Sequence, residues 1–223
     1  MGAGLGSLTV ALAGAGAEVV AVEADRALIP ALEEVVEGLP VRVVHADAMD
    51  ADWAELLGEG AWRMASNLPY NVAVPVLMRL LEEAPQVDPL MVMVQREVGE
   101  RLAAGPGEAA FGAVSLKVAY RAGVRVARRV GPKVFWPEPK VESVILEIER
   151  RPPPVATPEE ELFRLIDEGF AQRRKMMSSA LVRLGLDRDA ARAALARAGL
   201  DEKVRAEELG LEQFARLAEA IRD

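Results

Sequence analysis

Over the first 150 residues, short apolar runs alternate with stretches in which apolar side chains recur every three or four positions. The runs at 18–22, 41–44, 63–66 and 90–94 read as buried strands. The stretches at 5–15, 26–36, 53–57 and 72–81 read as helices. Strands separated by helices predict a parallel sheet with helices on both faces. The rhythm changes at 124–130 and 144–148, two late strands joined by the proline-rich turn Phe135-Trp136-Pro137-Glu138-Pro139. Pro152, Pro153 and Pro154 then favour an extended hinge, because three prolines in a row cannot continue a helix. Thr157 is the predicted N-cap of the next helix, with Pro158 in its first position. From there onward the pattern is helical, punctuated at Gly185, Gly199 and Gly210. The predicted division is an α/β domain over 1–151 and a small all-α domain over 152–223.

Composition narrows the chemistry. The chain has 223 residues, 51% of them apolar, which suffices for a packed core. It has no cysteine, which removes disulfides, thiolate metal sites and cysteine nucleophiles and fits a reducing cytoplasm. His45 is the only histidine and reads as structural, so no metal centre is expected. No apolar stretch reaches the length of a membrane span, and no membrane partner is expected. The net charge of −8 argues against a nucleic-acid partner, but its distribution reverses that. Residues 1–100 hold 5 Lys/Arg against 16 Asp/Glu, whereas residues 101–150 hold 9 against 5. Screening confines each charge to roughly 8–10 Å, so a local basic surface can bind phosphates while another face stays acidic.

Gly2-Ala3-Gly4-Leu5-Gly6 opens the first helix. Closely spaced glycines let the backbone approach a ligand where a Cβ would collide. Glu23 ends the next strand, where an acid can accept from ribose hydroxyls. Asp47 ends the strand after that, where it could accept from an adenine amine. The loop lacks a Gly-Lys-Ser/Thr ending, which disfavours ATP hydrolysis. A NAD-dependent oxidoreductase is disfavoured because Val74 stands where a Tyr-x-x-x-Lys pair with Tyr70 would need lysine.

Asn67-Leu68-Pro69-Tyr70 follows a predicted strand and precedes a predicted helix. The exocyclic amine of adenine is a poor nucleophile, because its lone pair is delocalised into the ring. Two acceptors on its hydrogens localise that pair, and the Asn67 side-chain oxygen and Leu68 carbonyl are the candidates. Pro69 favours an extended Leu68, and Tyr70 offers a flat face for an extruded base. A sulfonium methyl donor is already a strong electrophile, so such a site works mainly by positioning and needs neither histidine nor metal.

The run from Asn67 to Pro75 resembles the signature of the bacterial small-subunit (16S) ribosomal RNA adenine dimethyltransferases, the kasugamycin-resistance type. Val94-Gln95-Arg96-Glu97-Val98, Phe111-Gly112, the turn from Phe135 to Val141, Arg173-Arg174-Lys175 and Arg205-Ala206-Glu207-Glu208-Leu209 resemble further landmarks in order. The resemblance implies a Rossmann-like class I methyltransferase sheet with S-adenosylmethionine as cofactor. It implies dimethylation of two adjacent adenosines near the 3′ end of 16S rRNA, in the 30S subunit or its precursor, by a cytoplasmic monomer. By position, it places Gly2, Gly4 and Gly6 at the methionine end of the cofactor, Glu23 at its ribose, Asp47 at its adenine, and Asn67 beside both cofactor and base. Asn67, Leu68, Pro69 and Tyr70 hold the base in this reading, and Phe135 is the second aromatic against it. Arg173, Arg174, Lys175 and Lys140 are the implied RNA contacts, and Trp136 is the tryptophan best placed to meet RNA.

Two departures accompany the resemblance. Ala3 stands where proline is usual in the glycine loop. The chain begins at Met1-Gly2, inside that loop, so the resemblance implies a truncated or mis-started frame without the first strand, with weak cofactor binding and low stability. The rival readings are a 23S rRNA dimethyltransferase of the macrolide-resistance type and a non-catalytic 30S assembly factor.

Overall fold

The computed structural model describes residues 1–172 and 174–222. The chain divides into two compact units, one of Met1–Gly99 with Arg125–Arg150, the other of Glu100–Val124 with Arg151–Asp223. This differs from the predicted cut at 151/152, because residues 100–124 belong with the helical unit. The reason lies in Phe111, Leu116 and Tyr120, whose apolar side chains are buried in the helical core.

The first unit alternates α1 (Ser7–Gly14), β1 (Val19–Glu23), α2 (Ile29–Val35), β2 (Val41–His45), α3 (Trp53–Leu57), β3 (Trp62–Asn67), α4 (Ala73–Glu83) and β4 (Val87–Gln95). After α5 (Arg96–Ala103) and α6 (Ala113–Arg121), the chain makes β5 (Ala122–Val130) and β6 (Ser143–Arg150). Helix α4 carries its buried residues Ala73, Val76, Leu77, Leu80 and Leu81 at three- and four-residue spacing, so one face is apolar. Strands β4 and β6 alternate in burial, with Leu90, Val92 and Val94 meeting Ile148, Leu146 and Val144 in register. At Gly99 of α5 a Cβ would lie 2.2 Å from Val144 Cγ2, so only glycine lets that helix approach the sheet so closely.

The helix-separated strands are parallel where they pair, as predicted from their rhythm, but they lie in two sheets rather than one. β1 and β2 pair in parallel, and a second sheet has the order β3-β4-β6-β5. Within it β3 and β4 are parallel, but β4 and β6 are antiparallel. The physical reason is the connection: no crossover helix separates β5 from β6, so the chain returns as a hairpin and inserts β6 reversed. β1 and β3 are not paired with each other, and a cavity of about 690 Å³ is lined by Val19, Val20 and Val22 of β1 and by Met64 and Ala65 of β3. Asp25 closes a turn with the Leu28 N–H, which delays α2 to Ile29.

Arg150 ties β6 to the end of α4. Its guanidinium donates to the carbonyls of Leu80, Leu81, Ala84 and Val87 at 2.7, 2.9, 2.8 and 2.9 Å. The Leu81 carbonyl has no intrahelical donor, because Pro85 stands four residues on without an N–H, whereas the Leu80 and Ala84 carbonyls also accept from Ala84 N–H and Val87 N–H. Arg150→Met keeps the apolar stem and removes all of these donors. It is expected to destabilise the first unit by about 1–3 kcal/mol, chiefly from the Leu81 carbonyl left without a partner. Denaturation followed by tryptophan fluorescence checks this, since Trp53 and Trp62 lie in that unit. An unchanged midpoint would show that water replaces the guanidinium without cost.

The second unit is all-α apart from the start of β5. Helices α6, α7 (Glu159–Phe170), α8 (Met177–Arg183), α9 (Arg188–Arg197) and α10 (Leu211–Arg222) enclose its core. Phe170 meets Phe111 edge-on at 5.9 Å and stacks on Phe214 at 6.4 Å. Pro158, not Thr157, is the N-cap of α7, and Thr157 is buried with its hydroxyl unbonded. An extended Pro158 already turns the chain into the helix, so the hydroxyl is not drawn to the first-turn N–H groups. Among the described residues no helix is long and apolar enough to cross a membrane.

Candidate active site

The glycine loop lies against the Asn67 tetrapeptide. Gly2, Gly4 and Gly6 have φ of 60°, 55° and 86°, a region that side chains of L residues rarely enter. A Cβ on Gly2 would meet the Pro69 ring at 3.4 Å, and one on Gly6 would lie 2.9 Å from Leu32 Cδ1. Gly4 faces open space, so the loop between these contacts is open to a ligand. The loop's start is held from both sides: Ala3 N–H donates to the Val22 carbonyl at 3.2 Å, and Ser66 Oγ donates to the Met1 carbonyl at 2.6 Å. Burial pushes the Met1 amine below its ordinary pKa, and Glu23 pulls in the opposite direction.

Glu23 is buried at the end of β1. One carboxylate oxygen accepts from Gly4 N–H at 2.7 Å and the other from Asp25 N–H at 2.9 Å. The carboxylate thus shapes the glycine loop directly, a role its sequence position alone did not reveal. Each oxygen retains a further lone pair, so accepting from a diol remains chemically open. Asp47 is exposed just beyond β2; Oδ1 accepts from Met49 N–H at 2.8 Å, which forms an Asx turn. Among the described residues its Oδ2 has no hydrogen bond. His45 contacts the Ala24 carbonyl at 3.2 Å, a structural contact.

β3 ends at Asn67, whose backbone pairs with Met93 of β4, and Leu68 N–H donates to the Met93 carbonyl at 3.1 Å. Leu68 is 2% exposed, so its side chain anchors the tetrapeptide in the core. The Asn67 side chain is exposed, and neither its amide nor the Leu68 carbonyl has a hydrogen-bond partner among the described residues. Pro69 and the half-buried Tyr70 lead into α4. The Tyr70 hydroxyl bonds to Ser143 Oγ at 3.1 Å. Ser143 is fully buried at the first position of β6 and aligned with Gln95 of β4. Sequence reading missed Ser143; a polar residue opening an otherwise apolar strand was its only signal.

Residues 131–142 connect β5 to β6 and carry Phe135 and Trp136. Phe135 is half-buried and meets no other ring among the described residues. Trp136 is 97% exposed, and Lys140 is exposed. Arg174 and Lys175 are exposed in the second unit, and Arg173 lies outside the described residues. Among the described residues no acidic or histidine cluster could hold a metal.

The whole chain, residues 1–223, matches the family model for ribosomal RNA adenine dimethylase. The chain belongs to this family. It is 44% identical to a ribosomal RNA small subunit methyltransferase A of Streptomyces griseus, over 98% of this chain and 77% of that protein. It is 46% identical to the protein of the same description from Thermobifida fusca, over 98% of this chain and 78% of that one. Among solved structures, a dimethyladenosine transferase from Plasmodium falciparum superposes with a TM-score of 0.77 at 20% identity, covering 97% of this chain and 86% of that one. The 23S rRNA methyltransferase ErmE superposes with a TM-score of 0.73 at 24% identity, covering 100% of this chain and 89% of that one. At such identities both support the fold, a Rossmann-like class I methyltransferase sheet with a helical C-terminal unit. The residues at hand fit S-adenosylmethionine: an open loop of left-handed glycines, an acid at the end of β1, and an acid with a free oxygen beyond β2.

Proposed function

We propose that this chain transfers methyl groups from S-adenosylmethionine to the exocyclic amines of two adjacent adenosines near the 3′ end of 16S rRNA. The substrate is the 30S subunit or its precursor, and the protein acts as a monomer in the cytoplasm. The observation that carries this reading is the pair of acceptors at the end of β3. Asn67 Oδ1 and the Leu68 carbonyl stand unpartnered beside the glycine loop, in a chain of the rRNA adenine dimethylase family.

The chemistry follows from those acceptors. Asn67 Oδ1 and the Leu68 carbonyl each accept one amine hydrogen, which restores nucleophilic character to the nitrogen and aims its lone pair. Leu68 is held by its buried side chain and its bond to Met93, so its carbonyl is fixed before the base arrives. Tyr70, held by Ser143, stacks on the extruded base, and Phe135 closes on its other face. Gly2, Gly4 and Gly6 line the methionine end of the cofactor, Glu23 its ribose and Asp47 its adenine. The cofactor supplies a methyl group on a positively charged sulfur. Lys140, Arg173, Arg174 and Lys175 contact RNA phosphates.

Small-subunit particles from cells lacking the modification test this reading. Incubated with the protein and tritiated S-adenosylmethionine, they are expected to acquire label as dimethyladenosine in 16S rRNA. Label confined to 23S rRNA would move the chain to the macrolide-resistance type. Particle binding without label would leave an assembly factor.

A further inference from the structure

We propose that Arg129 holds a backbone phosphate of the RNA strand beside the target adenosine. The argument starts from the alternation of side chains in the β5–β6 hairpin. Successive residues of a strand point to opposite faces, and neighbours across a ladder share a face. Arg125 of β5 forms an ion pair with Glu147 of β6, which puts the odd-numbered residues of both strands on one face. Ser143 belongs to that set, and it carries the hydrogen bond to Tyr70. Arg129 belongs to it as well.

The hairpin also places Arg129 along the strand. From Arg125, four residues toward the connection lead to Arg129, a distance of roughly 13 Å at the usual rise. On β6 the same direction leads from Glu147 to Ser143, because the strands of a hairpin run oppositely. Arg129 therefore stands at the end of the hairpin where Ser143 anchors Tyr70, on the same face. Its side chain is exposed, and it has no ion pair or hydrogen bond among the described residues. Arg125, on the same face, is already neutralised by Glu147. Arg128 is equally exposed and unpaired but points to the opposite face, with Val126.

Charge complementarity selects the partner. Residues 1–100 are strongly acidic and repel a polyanion, so an RNA strand is tolerated only where free cations face it. A guanidinium beside an aromatic platform suits one nucleotide, the ring taking the base and the cation the phosphate. This inference rests on the reading of Tyr70 as the base platform.

Arg128 provides the internal control, since Arg129→Glu and Arg128→Glu make the same charge change one residue apart. Methylation of unmodified small-subunit particles is measured at varied particle and salt concentration. Arg129→Glu is expected to raise KM at least tenfold with kcat within threefold. Arg129→Lys should restore KM to within about threefold of wild type, and Arg128→Glu should change it less than twofold. Arg129→Ala should also lower the slope of log affinity against log salt by about 0.7, the release from one single-strand phosphate contact. Equal effects of Arg128→Glu and Arg129→Glu would overturn the proposal in favour of unspecific attraction, and so would an unchanged KM for Arg129→Glu. Tyr70→Ala in the same series separates the two readings. If transfer survives Tyr70→Ala at the wild-type rate, the platform reading fails, while the KM and salt slope still decide the phosphate contact.

Discussion

Replacing Asn67 by alanine is expected to lower kcat for methyl transfer by about 10²–10³, the usual loss when one preorganised hydrogen-bonding group is removed from a polar reaction centre. Its side chain is exposed and bonded to nothing among the described residues, so the fold has little to lose. The melting profile and the affinity for small-subunit particles should match those of the unsubstituted protein. That separation makes the variant informative, because an unfolded protein would lose binding as well. Leu68 continues to offer its carbonyl in the variant, held by Met93. One amine hydrogen then has no acceptor in place, and the nitrogen lone pair drifts back into the ring. Single-turnover transfer with saturating particles is the measurement that decides it. A rate within threefold of wild type would mean that Asn67 Oδ1 does not touch the reacting amine.

The second large effect is expected at Glu23. Its carboxylate accepts from Gly4 N–H at 2.7 Å and Asp25 N–H at 2.9 Å, at the buried end of β1. Glu23→Gln preserves the shape but turns one acceptor into an NH₂ donor facing an N–H. It also removes the charge that strengthens the other bond. The glycine loop loses its anchor, and its left-handed glycines are free to sample other conformations. S-adenosylmethionine affinity is expected to fall ten- to a hundredfold by calorimetry, with a stability loss of about 1–2 kcal/mol. RNA affinity measured without cofactor should stay constant. Cofactor binding at wild-type strength in Glu23→Gln would show that the loop is held by the Val22, Ser66 and Leu32 contacts alone.

The sequence was most legible where one local signal sufficed. The run Trp53–Leu57 is a helix over the predicted residues, and all six predicted strands are present with ends shifted by up to three residues. Asn67 is the last residue of β3, one beyond the predicted end, because Pro69 stops the run just after it. The helices α5 and α6 were not anticipated: Gly99 and charged residues interrupt the apolar positions of α5, and α6 is short and buried by partners distant in sequence. Thr157 failed as an N-cap because competing backbone geometry at Pro158, invisible in composition, starts the helix instead.

The sequence by itself displayed a glycine loop, two strand-end acids and an Asn-Leu-Pro-Tyr turn in order along an α/β pattern, and the resemblance carried by that turn and its continuation pointed to the family. These are properties of short segments, which a linear chain displays directly. Tertiary structure alone decided three other things. It placed residues 100–124 among the C-terminal helices, through the burial of Phe111, Leu116 and Tyr120. It bound Glu23 to the loop it faces and Tyr70 to Ser143, contacts spanning 19 and 73 residues. It paired Arg125 of β5 with Glu147 of β6, the contact that fixes how the two strands of the hairpin face each other. Such pairings depend on strand register and on which side of a sheet is covered, and both arise only when distant segments compete to bury the same apolar surface.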